Sequence, residues 1–193
     1  MPQPALILAS QSPRRRELLA QIGLDFTVQP AHIDESHHSG ESPADFVERM
    51  ALEKALAVAA DLPEEAVVIG SDTVVVVDDW IMGKPRDRAH ALSMLSALSG
   101  RSHRVLSSVA VVGGNRQAVA MSDNRVHFRA ITEAEMTAYW NSGEPVDKAG
   151  GYAIQGKGAV FVEKMHGSYS AVMGLPLFET AKLLAAYRIT PWP

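Results

Sequence analysis

The sequence predicts an α/β protein with a mixed, twisted central sheet flanked by helices, and three observations carry that expectation. Short apolar runs such as Ala5–Ala9 and Ala66–Gly70 read as buried strands, and stretches with cap residues and helical spacing lie between such runs. A turn-forming Gly113-Gly114-Asn115 joins two further strand-like segments. A chain of 193 residues with 47% apolar and 21% charged residues has ordinary globular usage and suits one domain spanning 1–193.

Taken in order, Ala5–Ala9 is a continuous apolar run ended by Ser10. A helix follows, with Ser12 as its expected cap, Pro13 at the first position, Leu18, Leu19 and Ile22 on its apolar side, and Gly23 as its stop. The looser stretch 31–41 leads to Ser42-Pro43-Ala44-Asp45, a second cap signal before a helix reaching about Ala60. Ala66–Gly70 and Val74–Val77 read as two strands separated by Ser71-Asp72-Thr73, and Asp78-Asp79 turns the chain into Trp80-Ile81-Met82. Asp87 caps a helix over Ala89–Leu98 that closes at Gly100, and Val105–Val112 and Gln117–Arg129 form strands about the glycine turn. Thr132 and Glu135 supply a capping box for a helix to about Asn141. The Gly-rich segment Gly150–Gly158 then precedes a strand over Ala159–Lys164 and a last helix over Leu177–Tyr187.

Composition excludes several functions. Without cysteine there is no disulfide, no thiolate catalysis and no Cys-ligated metal. Eighteen Lys and Arg against 22 Asp and Glu leave a net charge of −4, which argues against a nucleic-acid partner and requires any anion site to be locally basic. No apolar run approaches the roughly 18–20 residues of a membrane span, and Met1-Pro2-Gln3-Pro4 lacks a signal peptide's basic start, so the expectation is a cytoplasmic protein without a membrane partner.

Ser10-Gln11-Ser12-Pro13-Arg14-Arg15-Arg16 places hydroxyls, backbone N–H groups and guanidinium forks where a strand hands over to a helix N-terminus, a setting that binds anions. Three cations in a first turn oppose the helix dipole, a local conflict that points to function rather than to surface decoration. Lys54 shares a helical stripe with Val47, Met50, Ala51 and Val58, so its ammonium either snorkels to water or meets an anion inside. Asp72 follows an apolar strand and a glycine, where open sheets present catalytic groups, and a turn-forming Asp is the plainer alternative. Thr73 adjoins it. Glu35 is either a partner of Asp72 around a divalent cation or solvated loop charge. Lys84, in Gly83-Lys84-Pro85-Arg86-Asp87, is a phosphate grip or plain surface, and Gln155 offers an amide able to read a base edge from a glycine-rich loop. His37 and His38 are read as surface residues.

These motifs together, with Ile33-Asp34-Glu35, Glu53-Lys54-Ala55, Gly70-Ser71-Asp72-Thr73, Leu98-Ser99-Gly100, His103, Asp147–Gly156, Gly167-Ser168-Tyr169 and Gly174-Leu175-Pro176, resemble the Maf nucleotide pyrophosphatases over almost the whole chain. The resemblance implies an elongated fold with a central nucleotide-binding cleft, similar to the inosine triphosphatases, and a homodimer. It implies cleavage of a nucleoside triphosphate substrate between its α- and β-phosphates, giving a nucleoside monophosphate and pyrophosphate and clearing non-standard nucleotides. On that resemblance Asp72 activates water, Arg14, Thr73 and Gln155 set nucleotide choice, and those three match the branch acting on dTTP and UTP rather than on 7-methyl-GTP. Ser10, Arg14, Arg15, Lys54 and Lys84 would hold phosphates, and Asp72 with Glu35 would hold Mg²⁺ or Mn²⁺. The resemblance also admits a second class, a non-catalytic nucleotide-binding regulator of septation, which would need the cations but not Asp72.

Overall fold

One strand of eleven residues, Val67–Val77 (β3), stands where the sequence suggests two strands and a turn. In this computed structural model, which describes residues 4–192, the chain begins with Leu6–Leu8 (β1), Pro13–Gln21 (α1), Thr27–Val28 (β2) and Pro43–Ala59 (α2). After β3 come Trp80–Met82 (β4), Arg88–Leu98 (α3), Ser102–Gly113 (β5), Arg116–Phe128 (β6) and Glu133–Asn141 (α4). Three 3₁₀ turns, at Glu144–Asp147, Ala149–Gly151 and Lys157–Phe161, precede Val162–His166 (β7), Tyr169–Met173 (α5) and Leu177–Ala185 (α6). Met1-Pro2-Gln3, the start of the expected leader-free N-terminus, lie outside the described residues.

The seven strands form one mixed sheet in the order β2-β1-β3-β5-β6-β7, with β4 paired to β3. β1 runs parallel to β2 and to β3, whereas β4 against β3 and β7 against β6 are antiparallel. The first strand, which leads into α1, is thus parallel to both its neighbours, and the β3–β4 hairpin and the β6–β7 pair are antiparallel. No helix among the described residues is long and apolar enough to cross a membrane.

The chain groups into two compact units, each assembled from separate segments. The first comprises residues up to Asp72, Ser107–Ser122 and residues from Gly174 on. Its core joins Ile7 and Ala9 of the β1 segment, Ala51, Ala55 and Val58 of α2, Val68 of β3 and Ala110 and Val112 of β5. The second comprises Thr73–Leu106 and Asp123–Met173. Its core packs Val75, Val77, Met94, Leu98, Val105 and Val126 with the rings of Phe128, Tyr139, Tyr152 and Phe161.

Three of the four expected helix caps form. Ser42 Oγ accepts the Asp45 N–H at 3.1 Å, Asp87 accepts the His90 N–H at 2.8 Å, and the Thr132/Glu135 capping box forms. Ser12 departs from expectation: its side chain makes no cap bond, and its own N–H is taken by Ser10 Oγ at 3.1 Å. The strand expected over Ala159–Lys164 starts only at Val162, because the chain still turns through Lys157–Phe161.

Candidate active site

In the first unit, β3 and α2 build the centre of the site. The two-residue period of a strand puts Gly70 and Asp72 on one face, and three- and four-residue helical spacing puts Ala51, Lys54 and Ala55 on one side of α2. At Gly70 a Cβ would stand 2.1 Å from the Ala51 carbonyl oxygen and 2.7 Å from the Ala55 nitrogen. Only a hydrogen fits, so the helix backbone lies directly on the strand. Asp72 is therefore not a strand-end or turn residue but a mid-strand carboxylate aimed at a helix.

Lys54 resolves the ambiguity left by its position on the apolar stripe. Its Nζ donates to Asp72 Oδ1 at 2.7 Å and meets Glu35 Oε1 at 3.0 Å. Lys54 and Asp72 are buried, with Glu35 60% exposed at the solvent side. The ammonium does not snorkel to water, because two carboxylates supply the counter-charge that burial demands. Glu35 is steadied by residues that sequence reasoning passed over. Arg49 of α2 donates to the Ser36 carbonyl at 3.0 Å and to both oxygens of Glu41, while Asp34 accepts the Ser36 N–H at 2.9 Å. This pairing holds the Glu41 carboxyl down at about 2. The signal was helical spacing: Arg49 and Glu53 lie one turn apart on α2, facing the loop before it.

The β1–α1 turn supplies the second half of this unit's site. Ser10 is buried, and its Oγ accepts from Arg15 Nη1 at 3.4 Å besides the Ser12 N–H. Arg15 Nε donates to the Gly174 carbonyl at 2.8 Å, and the same carbonyl accepts from the buried Ser71 hydroxyl at 3.1 Å. Desolvation pulls the Arg15 guanidinium below its ordinary value, opposed by the nearby charge of Asp72. Arg14 is half-buried on the same helix turn. Thus Ser10, Arg15, Lys54, Asp72 and Glu35 belong to one electrostatic group with Ser71 and Gly174 as its fasteners.

Thr73, Lys84 and Gln155 belong to the second unit. Thr73 is half-buried as the next residue of β3, and Lys84 is exposed in the loop after β4, where the Gly83 carbonyl accepts the Gly150 N–H at 3.0 Å. Gln155 is exposed, whereas Tyr152, Ala153 and Ile154 before it and Gly158 after it are buried.

A family model described as Maf-like protein matches residues 5–187. The chain belongs to the Maf family. Relatives of this Maf chain include a protein of Saccharophagus degradans named dTTP/UTP pyrophosphatase, 51% identical over 190 residues, covering 97% of this chain and 90% of that protein. Proteins of the same name from Alkalilimnicola ehrlichii and Vibrio cholerae are 53% and 52% identical over 192 and 179 residues. The first of these alignments covers 97% of this chain and 95% of the relative, the second 93% and 96%. A solved structure of the Staphylococcus aureus Ham1 protein aligns with a TM-score of 0.46 at 16% identity, over 64% of this Maf chain and 71% of the other.

The donor set of this Maf chain suits a hard divalent cation. Glu35 and Asp72 offer oxygen ligands that already meet at one cationic group, and no cluster of three or more His, Cys, Asp and Glu side chains lies together among the described residues. One or two carboxylates completed by phosphate oxygens and water is how Mg²⁺ is ordinarily held in phosphoryl chemistry.

Proposed function

We propose that this protein hydrolyses nucleoside triphosphates, dTTP and UTP foremost, to the nucleoside monophosphate and pyrophosphate by water attack at the α-phosphate. The observation that carries the reading is the buried Lys54 ammonium meeting Asp72 at 2.7 Å and Glu35 at 3.0 Å, beside the Ser10–Arg15 turn. The names of relatives at about half identity over nearly the whole chain support the substrate.

Asp72 is the general base. Lys54 fixes the rotamer of its carboxylate, leaving the second oxygen for a water, and general-base help of this kind contributes about 10²–10⁴-fold. Ser10, Arg14, Arg15, Lys54 and Lys84 offset the negative phosphate oxygens, and charge development on the leaving pyrophosphate is where such cations act most strongly. Mg²⁺ or Mn²⁺, held by Asp72 and Glu35 with the substrate, would supply Lewis-acid polarisation of the phosphate. Arg14, Thr73 and Gln155 choose the nucleotide, with the Gln155 amide donating to and accepting from the imide edge of thymine or uracil. The reading includes a cytoplasmic homodimer that clears modified pyrimidine nucleotides.

The test is pyrophosphate release from a panel of nucleoside triphosphates, 7-methyl-GTP included, with and without Mg²⁺ or Mn²⁺, for the native chain and Asp72→Asn. Metal-dependent turnover favouring dTTP and UTP, reduced by at least about 10²-fold in the variant while nucleotide binding persists, is the expected result. Tight binding with no turnover of any nucleotide would replace the enzyme with a nucleotide-binding regulator.

A further inference from the structure

We infer that Tyr139 and Glu144 are positioning residues that clamp the loop carrying Gln155 and thereby hold base selection; the inference rests on the reading of Gln155 given above. The Glu144 carboxylate accepts the Lys157 N–H at 2.9 Å through Oε2 and the Gly158 N–H at 3.0 Å through Oε1. Oε1 also accepts the Tyr139 hydroxyl proton at 2.7 Å, and that hydroxyl oxygen in turn accepts the Ala153 N–H at 3.0 Å. One tyrosine and one carboxylate thus hold the backbone two residues before Gln155 and two and three residues after it.

The backbone is fitted to this clamp. A Cβ at Gly156 would lie 2.3 Å from Glu144 Oε2, and one at Gly158 would lie 2.6 Å from the Tyr139 hydroxyl. Both glycines are there because the clamp comes within van der Waals contact of the main chain. A second tie lies next to Ala153, where Tyr152 Oη shares a hydrogen bond with His103 Nε2 at 2.8 Å. Between these ties Gln155 is exposed, while Ile154 before it and Gly158 after it are buried. An amide that discriminates bases must be held to within a fraction of an ångström, and charge-assisted bonds to backbone N–H groups do that without touching the ligand.

The experiment compares Tyr139→Phe and Glu144→Gln with Gln155→Glu, measuring kcat and KM for dTTP, UTP and CTP, inhibition by inorganic tripolyphosphate, and amide hydrogen exchange. Tyr139→Phe removes one oxygen and keeps the packed ring. It should raise KM for dTTP about tenfold and cut the dTTP preference over CTP by a similar factor. Its kcat should stay within about twofold, and tripolyphosphate, which has no base, should inhibit as before. Glu144→Gln should shift the same quantities, and in both variants exchange should quicken at Ala153, Lys157 and Gly158. Equal losses for all nucleotides and for tripolyphosphate would overturn the clamp and leave a plain folding role. An intact base preference in both clamp variants, with Gln155→Glu destroying it, would also overturn the clamp while the reading of Gln155 stands. If Gln155→Glu itself leaves base preference unchanged, the reading of Gln155 fails, and the clamp as a selectivity device fails with it.

Discussion

His103 is 3% exposed between Phe128 and Tyr152, with ring centroids 4.9 and 5.5 Å away, and its Nδ1 is buried without a hydrogen-bond partner. Burial, and secondarily the charge of His127, pushes its pKa from 6.5 down to about 4. The native protein therefore holds it neutral while the unfolded chain protonates it as pH falls below about 6.5. Stability from this group is complete above pH 6.5 and is lost as pH falls from 6.5 to about 4, with a slope on the order of 1 kcal/mol per pH unit. Urea midpoints measured across that window should fall with acidification, and His103→Gln should flatten the fall. Parallel pH profiles for the two chains would show that another group is responsible. At this scale Lys54 has two readings from sequence, since helical spacing places a side chain on a stripe but does not reveal what faces it. Only the fold brings Asp72, eighteen positions away, to its ammonium.

Gly70 shows how an element sets the site's spacing. A methyl group there must displace the α2 backbone, and backbone cannot rotate aside as a side chain can. Gly70→Ala should destabilise by about 1–3 kcal/mol or more, and should lower kcat as the Lys54–Asp72 pair opens. A calorimetric scan and steady-state kinetics check both parts, and native turnover in a stable Gly70→Ala chain would refute the close approach. The elements themselves were legible where a cap or a turn carried a local signal: Ser42, Asp87, the Thr132/Glu135 box and the glycine turn after β5 all act as their residue types require. The uninterrupted β3 was not, because Gly70-Ser71-Asp72-Thr73 has the composition of a turn. It stays extended because tertiary partners take up its polar groups: Ser71 donates to the Ser108 carbonyl at 2.8 Å, and Asp72 receives Lys54. Ser12 also departs from its local signal: its side chain makes no cap bond, while its backbone N–H goes to Ser10 Oγ. The Tyr139–Glu144 clamp had no signature at all, because its two acceptors meet the Ala153, Lys157 and Gly158 N–H groups only once the chain folds back on itself.

Across the whole molecule, neither unit is a continuous stretch of sequence: the first is built from three segments and the second from two. Boundaries fall inside β3, β5 and β6, so each of these strands contributes residues to both cores. Unfolding one core frays strands that the other needs, and a single cooperative transition is expected, with calorimetric and van't Hoff enthalpies in agreement. Two resolved transitions in denaturant would contradict this. The same interleaving has a consequence for synthesis. The Gly174 carbonyl that takes both Arg15 and Ser71 lies 159 and 103 positions after them, so both bonds close only once the chain has been made past that point. While the chain is still emerging from the ribosome, Arg15 lacks that acceptor. A nascent or prematurely terminated chain ending before Gly174 carries every acid and base of the proposed site yet cannot lock its arginine. Arg15 and Ser71 can therefore be fastened together only after synthesis has passed Gly174.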